Sequence, residues 1–340
     1  MDQDSSNGAG PDKRNWRERL GIGAKELPKL SDEFRDEPQM ASQPAPPAGT
    51  AKPAPRAPVT PAARPAPRPP VAVRPRKLSV TEIETWLRDP YAIYARFILQ
   101  LEPVKPVSSM PDPARRGTIF HDAIGDFLTQ FPQDLPVDAA AELERHGSRH
   151  FRQIADYPGL VSFWWPRFRR IAAWIAAQEP AWRTGVTRVV AERNGTITFP
   201  VGGADFTLTC RVDRIDLMAD QSARIVDFKT GGVPSRKEVE VGLAPQLTLQ
   251  AAILARGGFV EVEPRQTGQL WYVKLSGGNP AGEVEELKKL DPPIMELAEQ
   301  HFAELQRLLA KYARLDQPYY PRTIMKKEDD PSDYDHLSRF

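Results

Sequence analysis

The chain has 340 residues, of which 40% are hydrophobic and 27% are charged, a balance that suits one large globular domain or two modest ones. Its formal net charge of +1 gives a nucleic-acid role no support from bulk charge. The single cysteine, Cys210, excludes an intrachain disulfide and an iron–sulfur cluster held by this chain alone. Residues 1–10 lack an apolar signal segment, and no apolar run approaches the ~20 residues of a membrane span. We therefore expect a cytoplasmic protein without a membrane segment.

The first 77 residues differ in composition from the rest of the chain. We predict a poorly ordered segment over residues 1–43 and a linker rich in proline, alanine and arginine over residues 44–77. Between residues 44 and 75, 12 of 32 residues are proline and none is acidic. This composition disfavours helix and strand and predicts an extended, disordered chain. Its positive charge suits either weak binding to a polyanion or a solvated spacer.

Helical patterns follow from residue 78 onward. Ser79, with Glu82 three residues later, forms a capping-box pattern and predicts a helix that ends before Pro90. Apolar residues at helical spacing predict further helices after Pro90, over about 117–130, and over 138–155 and 160–179. His121 lies in the helix at 117–130, between two glycines that leave its flanks open. A lone histidine in such a helix is more often a core or surface residue than a ligand.

Strand patterns begin at residue 186. The segments 186–193 and 196–201 flank Asn194-Gly195, which is a strong signal for a two-residue hairpin turn. Gly202-Gly203 predicts the next turn, and 206–217 predicts a strand that leads into a second hairpin. The remaining predicted elements are a helix over about 244–256, a strand over 269–275, a helix over 293–313 and a loose polar tail over 326–340. This order predicts an α/β fold, with helices packed on a sheet.

The second hairpin, residues 211–231, carries the side chains most typical of catalysis. A turn centred near Asp220 places Asp213 opposite Asp227, and Lys229 shares a face with Asp227 because residues two apart on a strand point the same way. Two close carboxylates repel unless a cation lies between them, and Mg²⁺ prefers such oxygen ligands. The pattern predicts a metal-dependent phosphodiesterase site. The alternative is an ordinary surface hairpin with exposed aspartate and lysine.

Several segments of the sequence resemble one nuclease family. The resemblance rests on His121, Asp213, Asp227-x-Lys229 and Gln246, and on the segments 78–86, 89–95, 116–121, 244–247 and 333–337. Together they resemble the RecB-type branch of the PD-(D/E)xK nuclease superfamily. The resemblance is closest to the C-terminal nuclease domain of the AddB subunit of AddAB helicase–nucleases, and it covers residues 78–340.

This resemblance implies a restriction-endonuclease-like mixed β-sheet flanked by helices, which we assign to residues 78–325. It also implies DNA cleavage that depends on Mg²⁺, with Mn²⁺ as a substitute, during double-strand break repair and recombination. An AddA-type helicase–nuclease would be the partner subunit. No counterpart of the helicase-like region of AddB occurs in the 340 residues, which leaves open a fragment of a longer AddB, a split gene product or a stand-alone relative. A stand-alone RecB-like exonuclease and a catalytically silent DNA-binding module stay open as alternative functions.

The resemblance also assigns roles to individual residues. His121, Asp213 and Asp227 are implied as metal ligands, and Asp213, Asp227 and Lys229 as the catalytic set. The implied substrate-binding and accessory positions are Gln246, Arg116, Glu192 and Gln250. Among these, Gln246 matches a glutamine that faces the substrate, Gln250 replaces a tyrosine of the same motif, and Glu192 matches a further acidic position.

Overall fold

A computed structural model of the chain describes residues 63–103, 110–322, 324 and 332–340. The predicted disordered segment 1–43 and most of the linker lie outside these residues. The described strands are β1 (Lys77–Ser79), β2 (Val186–Val201), β3 (Ala204–Met218), β4 (Ala223–Lys229), β5 (Thr267–Leu275) and β6 (Gly282–Glu286). The described α-helices are α1 (Val80–Arg88), α2 (Pro90–Ile93), α3 (Pro113–Gln130), α4 (Ala139–Phe151), α5 (Pro158–Trp182), α6 (Arg236–Glu240), α7 (Gln246–Ala255), α8 (Ile294–Tyr312) and α9 (Asp335–Ser338). Wider or tighter helical turns lie at Val71–Val73, Tyr94–Ile98 and Arg152–Ile154.

The six strands form one mixed sheet with β3 at its centre, which confirms the predicted α/β fold. β2 pairs antiparallel with β3 along nearly its whole length. On the other edge of β3, β1 pairs in parallel, and β4 pairs antiparallel further along. β5 continues the sheet parallel to β4, and β6 closes it antiparallel to β5.

One edge of β3 contains a gap that positions the candidate site. β1 pairs with residues 207–209 and β4 with residues 214–217. Since β2 occupies the opposite edge, residues 210–213 have no strand partner on the gap side within the described part of the chain. Asp213 is the last residue of this gap and lies beside the carboxyl end of β4.

Helices cover the sheet on both faces and create one core on each face. α1, α7 and α8 pack on one face, where Leu208 and Ile225 are fully buried. α3, α4 and α5 pack on the other face, against Val226 and Phe228. Successive residues of a strand point to opposite faces. Asp227, between Val226 and Phe228, therefore faces the layer that contains α7.

The capping box predicted at the start of the domain is present. The Glu82 N–H donates to Ser79 Oγ at 3.3 Å, and the Ser79 N–H donates to Glu82 Oε2 at 2.8 Å. These two bonds satisfy amide groups that no carbonyl within the helix can reach. α1 then ends at Arg88, two residues before Pro90, as predicted.

The hairpin turn predicted at Asn194-Gly195 is wrong, because β2 runs straight through these residues. The turn lies instead at Gly202-Gly203, where φ is 59° and 81° at the two glycines, the left-handed values that a tight hairpin needs. Gly195 serves packing, since a Cβ there would lie 2.5 Å from the ring of Phe259. β1, β6 and the short helix α6 were not predicted.

The described end of the linker and the end of the chain both pack on the domain, unlike the solvated spacer and loose tail that composition suggested. Arg74 is 5% exposed and donates to the carbonyls of Tyr312 and Arg314 at 2.6 and 2.8 Å. Near the C-terminus, the hydroxyl of the buried Tyr334 donates to the Leu101 carbonyl at 2.7 Å. In the described part of the chain, no helix is both long and apolar enough to span a membrane.

Candidate active site

The β3–β4 hairpin brings two aspartates together at the gap. Its register pairs Arg214 with Val226, so the next position along sets Asp213 at the level of Asp227, as symmetry about the turn predicted. Asp213 Oδ2 accepts a hydrogen bond from the Phe228 backbone N–H at 2.7 Å. Asp227 is 2% exposed. The two carboxylates thus face a shared space from adjacent strands.

Lys229 lies beside the two aspartates and forms an ion pair with Asp227. Its Nζ is 2.8 Å from Asp227 Oδ2. Burial and the neighbouring Asp213 raise the pKa of Asp227 to about 6, against the opposing charges of Lys229 and His121. Burial alone would lower the pKa of Lys229, but Asp227 and Asp213 raise it overall. Lys229 therefore stays charged. The positive charges near Asp227 do not offset the effects of burial and Asp213 on its pKa.

Glu192 is a third carboxylate at this point. It lies in β2 between the pairs formed by Ala191 with Arg214 and by Arg193 with Val212, so it is level with Asp213. Its φ of 49° is left-handed, which is rare outside glycine and occurs often at functional sites. The sequence predicts Glu192 near the end of a strand, just before a turn, whereas β2 continues past it and pairs with β3.

The surroundings of Glu192 hold it in the site. A Cβ at Gly125 of α3 would overlap the Glu192 side chain, so the glycine provides the space. Arg211 Nε lies 2.7 Å from Glu192 Oε2. Burial and the charge of Asp213 raise the pKa of Glu192 to about 7.

The unfavourable burial and repulsion of the Glu192 carboxylate can be tested by measuring the stability of the protein without metal. Since the pKa of Glu192 is raised in the folded state, the charged form destabilises the fold, and stability falls as pH rises from about 4.5 to about 7. Glu192→Gln should therefore raise the free energy of unfolding at pH 8 by about 2 kcal/mol and give no gain at pH 4. Urea unfolding in EDTA measures both values. Glu263→Gln, at an exposed position, is the control, and an equal gain at both pH values would contradict the expected repulsion.

His121 approaches the aspartates from the opposite helical layer. Its Nδ1 lies 3.4 Å from Asp213 Oδ2. Burial alone would lower the pKa of His121, but Asp213, Asp227 and Glu192 raise it overall. One turn earlier, Gly117 leaves room for the Thr230 hydroxyl, because a Cβ there would lie 3.0 Å from Thr230 Oγ1. The helix α3 thus packs directly on the end of β4.

The two glutamines of α7 have different environments. Gln246 Nε2 donates to Asp227 Oδ1 at 2.6 Å, and Gln246 Oε1 accepts a hydrogen bond from Lys229 Nζ at 3.1 Å. Gln246 therefore fixes the aspartate and the lysine together. Gln250 is 1% exposed and donates to the Arg211 carbonyl at 3.2 Å, in the gap of β3. It thereby provides a hydrogen bond to a residue of β3 that has no strand partner on this side among the described residues.

A residue that sequence reasoning missed is Tyr272 of β5. It pairs in register with Asp227 and is fully buried. Its hydroxyl has no hydrogen-bond partner in the described part of the chain. Burial, with Asp227 next in importance, raises the pKa of Tyr272 well above its ordinary value. Only the parallel pairing of β4 with β5, which no local pattern shows, brings this tyrosine beside the aspartate.

Lys229 and Gln246 also line a cleft of about 1170 Å³. The cleft extends along α1 and reaches Tyr334 near the C-terminus, and its lining is mixed in charge. Arg88 and Arg96 line it and pair with Glu238 and Glu82, and further acidic side chains line it as well. This volume exceeds the range of about 300–1,000 Å³ that is typical of small-molecule pockets. The cleft therefore suits a substrate longer than a metabolite.

Comparison with known proteins places this site in a family. A sequence model of the PD-(D/E)XK nuclease superfamily matches residues 77–326. The chain belongs to this superfamily. Members of the PD-(D/E)XK nuclease superfamily are generally nucleases, and they typically use divalent metal ions such as Mg²⁺. The match extends over the whole sheet and includes every site residue described above.

Relatives of the chain include two Rickettsia proteins. An uncharacterized protein of Rickettsia bellii (strain RML369-C) is 25% identical over 268 residues, which is 75% of this chain and 32% of that protein. An uncharacterized protein of Rickettsia conorii (strain ATCC VR-613 / Malish 7) is 26% identical over 192 residues, 55% of this chain and 23% of that protein. The chain thus spans about a third or less of these curated relatives. A crystal structure of a proposed exonuclease from Eubacterium rectale is also similar. The match covers 78% of this chain and 94% of that protein's chain, with 10% identity and a TM-score of 0.43.

The residues present fit a divalent metal ion. Among the described residues no three His, Cys, Asp or Glu side chains meet as a ready ligand set. Mg²⁺ needs only one or two carboxylates, because water and substrate phosphate complete its shell. Asp227 Oδ2 is buried and pairs with Lys229 Nζ at 2.8 Å, yet burial and the charge of Asp213 still raise the pKa of Asp227. A cation near Asp213 and Asp227 would relieve this repulsion between the two carboxylates.

Proposed function

We propose that this chain is a Mg²⁺-dependent deoxyribonuclease of the exonuclease type, which acts as an AddB-like nuclease domain in the repair of double-strand breaks. One observation carries the proposal. Gln246 joins Lys229 to the buried Asp227, which faces the half-buried Asp213, on the edge of the sheet where the cleft opens. Membership of the nuclease superfamily supports the reaction class, and the resemblance of the sequence to AddB supports the biological role.

Each side chain of the site would have a separate role in the reaction. Asp213 and Asp227 would hold the metal ion, with Glu192 and His121 beside them, and Mn²⁺ could take the same oxygen ligands. When bound, the ion supplies Lewis-acid chemistry to a phosphodiester. Lys229 presents a positive charge where negative charge develops on the phosphate, which is effective because the site is largely buried.

Positioning groups support these roles. Gln246 holds both the lysine ammonium and the carboxylate of Asp227, so neither turns away when substrate enters. Arg116, at the start of α3, would bind a phosphate of the strand. DNA delivered by an AddA-type subunit would reach the site as a single strand. The cytoplasm would be the compartment in which both subunits meet.

A cleavage assay on two forms of DNA tests the proposed function. The full chain is incubated with end-labelled linear single-stranded DNA and with a closed single-stranded circle, in MgCl₂ or EDTA, with and without an AddA-type subunit. We expect Mg²⁺-dependent loss of the linear strand, an intact circle, and no cleavage in EDTA. Intact linear DNA under every condition, including MnCl₂, would instead identify a silent DNA-binding module.

A further inference from the structure

The helix α5 carries an exposed aromatic ring with an arginine stacked on it. Phe163 is 57% exposed and belongs to neither core. The Arg167 guanidinium carbon lies 4.2 Å from the centre of the Phe163 ring. The two residues are four apart, so they lie on the same face of the helix. An exposed ring held flat by a stacked cation offers its free face to another planar group.

Arg167 lies close to a second arginine, and neither has an acidic partner among the described residues. Phe120 of α3 and Phe168 of α5 pack with their ring centres 5.3 Å apart, which places Arg116, one turn before Phe120, near Arg167. Burial lowers the pKa of Arg116, and the charge of Arg167 lowers it further. Their neighbours on α5 are paired differently. Arg169 Nε binds Glu144 at 3.0 Å, and Arg170 Nε donates to the Gly277 carbonyl at 2.6 Å. Two unpaired arginines held near each other provide a place for an anion.

This surface lies at the same edge of the sheet as the catalytic lysine. The loop after β5 packs directly on α5, since a Cβ at Gly277 would lie 2.7 Å from Arg167 Cβ. β4 runs parallel to β5 and ends at Lys229. The carboxyl ends of both strands therefore reach one edge, with Arg167 beside the end of β5 and the carboxylate pair beside the end of β4.

Arg116 links the two places. It precedes Gly117, which packs on Thr230 immediately after β4. His121, which contacts Asp213, lies five residues further along α3, a distance of about 7.5 Å along the helix axis. A strand bound at Arg116 and Arg167 would thus need to extend by only a nucleotide or two to reach the carboxylates.

We propose that Phe163, Arg167 and Arg116 form a subsite that binds single-stranded DNA next to the cleavage centre. An unpaired base stacks on the free face of Phe163, and the two arginines bind the flanking phosphates. Stacking on an aromatic side chain requires an unpaired base, because the bases of a duplex are already stacked on each other. The subsite therefore selects single strands. This inference rests on the proposed function for its substrate, although binding itself requires no cleavage.

Fluorescence anisotropy with a labelled oligothymidine and the full chain, in EDTA, tests the subsite. Phe163→Ala should weaken binding of the single strand about tenfold and leave duplex affinity unchanged, since stacking contributes only for unpaired bases. Phe163→Tyr should keep the parent affinity. Arg167→Ala should weaken binding and reduce the salt dependence by about 0.7 in log–log slope for the lost phosphate contact. Arg169→Ala, which alters the paired arginine two positions away, should change neither.

The outcomes separate this inference from the proposed function. Unchanged single-strand affinity in Phe163→Ala would overturn the subsite, as would an equal loss in Arg169→Ala or a parent chain that does not bind single strands. If the subsite is wrong but the chain is a nuclease, Phe163→Ala will cleave linear DNA with the KM of the parent. If the nuclease assignment is wrong but the subsite is right, Phe163→Ala will still lose affinity while no variant cleaves. Because the ring lies outside both cores, thermal unfolding of Phe163→Ala should match the parent chain.

Discussion

Asp227→Asn is expected to lower the rate of Mg²⁺-dependent cleavage of linear single-stranded DNA by about a thousandfold or more. The substitution keeps the size of the side chain and its contact with Gln246, but it removes the negative charge that would hold the metal ion and pair with Lys229. The fold should not suffer. Burial and Asp213 already raise the pKa of Asp227 to about 6, so a neutral amide relieves repulsion in the metal-free protein.

Initial cleavage rates and urea unfolding of the same preparations measure the two effects together. Asp220→Asn is the matched control, because Asp220 lies in the exposed turn of the same hairpin, away from the carboxylate pair, and accepts its hydrogen bonds from Ser222. It should retain the parent rate. An Asp227→Asn variant that keeps more than about a tenth of the parent rate would contradict the assigned role, since the loss of a single metal-site group typically costs more than that.

Glu179→Gln should destabilise the folded chain by about 3–5 kcal/mol, the usual effect of removing one partner from a buried ion pair. Arg214 is fully buried between Glu179 and Asp216, and Arg224 binds the second oxygen of Asp216 at 2.7 Å. Burial opposes the charge of Arg214, but Asp216 and Glu179 raise its pKa overall, so it stays protonated. Without Glu179, its positive charge would lie partly unpaired inside the protein.

This network of buried charges lies next to the candidate active site. It ties the end of α5 to β3 at the residue after Asp213, so it holds the gap edge in place. Urea unfolding gives the stability change. Glu144→Gln, which breaks the exposed pair with Arg169, is the control and should cost no more than about 1 kcal/mol. A loss of under about 1 kcal/mol for Glu179→Gln would contradict the importance of the buried pair.

Sequence alone predicts the part of the site that depends on strand pairing within a single hairpin. Strand alternation and the turn near Asp220 were enough to bring Asp213, Asp227 and Lys229 together, because the residues of a tight hairpin pair symmetrically about its turn. Membership of the nuclease superfamily was also predicted correctly, from segments that recur in order. The closeness to AddB, the repair role and the roles of individual residues stay predictions.

The missed parts all depend on contacts between segments distant in sequence. Glu192 was placed near a turn because Asn194-Gly195 is a strong local signal, yet β2 continues through it to pair with β3. Tyr272 reaches Asp227 only through parallel pairing, which requires a crossover and leaves no local pattern. Arg214 and Asp216 alternate with apolar residues along β3 as surface residues do, and only the packing of α5, which carries Glu179, on the sheet shows that they are buried.

The central claim is that Asp213 and Asp227 together form a divalent-ion site at the gap of β3. Calorimetric titration of the full chain with MnCl₂, and then with MgCl₂, measures this directly and requires no DNA. We predict saturable binding that weakens at least about tenfold in Asp213→Asn and in Asp227→Asn and is unchanged in Asp220→Asn. Equal binding by all four proteins, or no binding by the parent chain, would contradict the account.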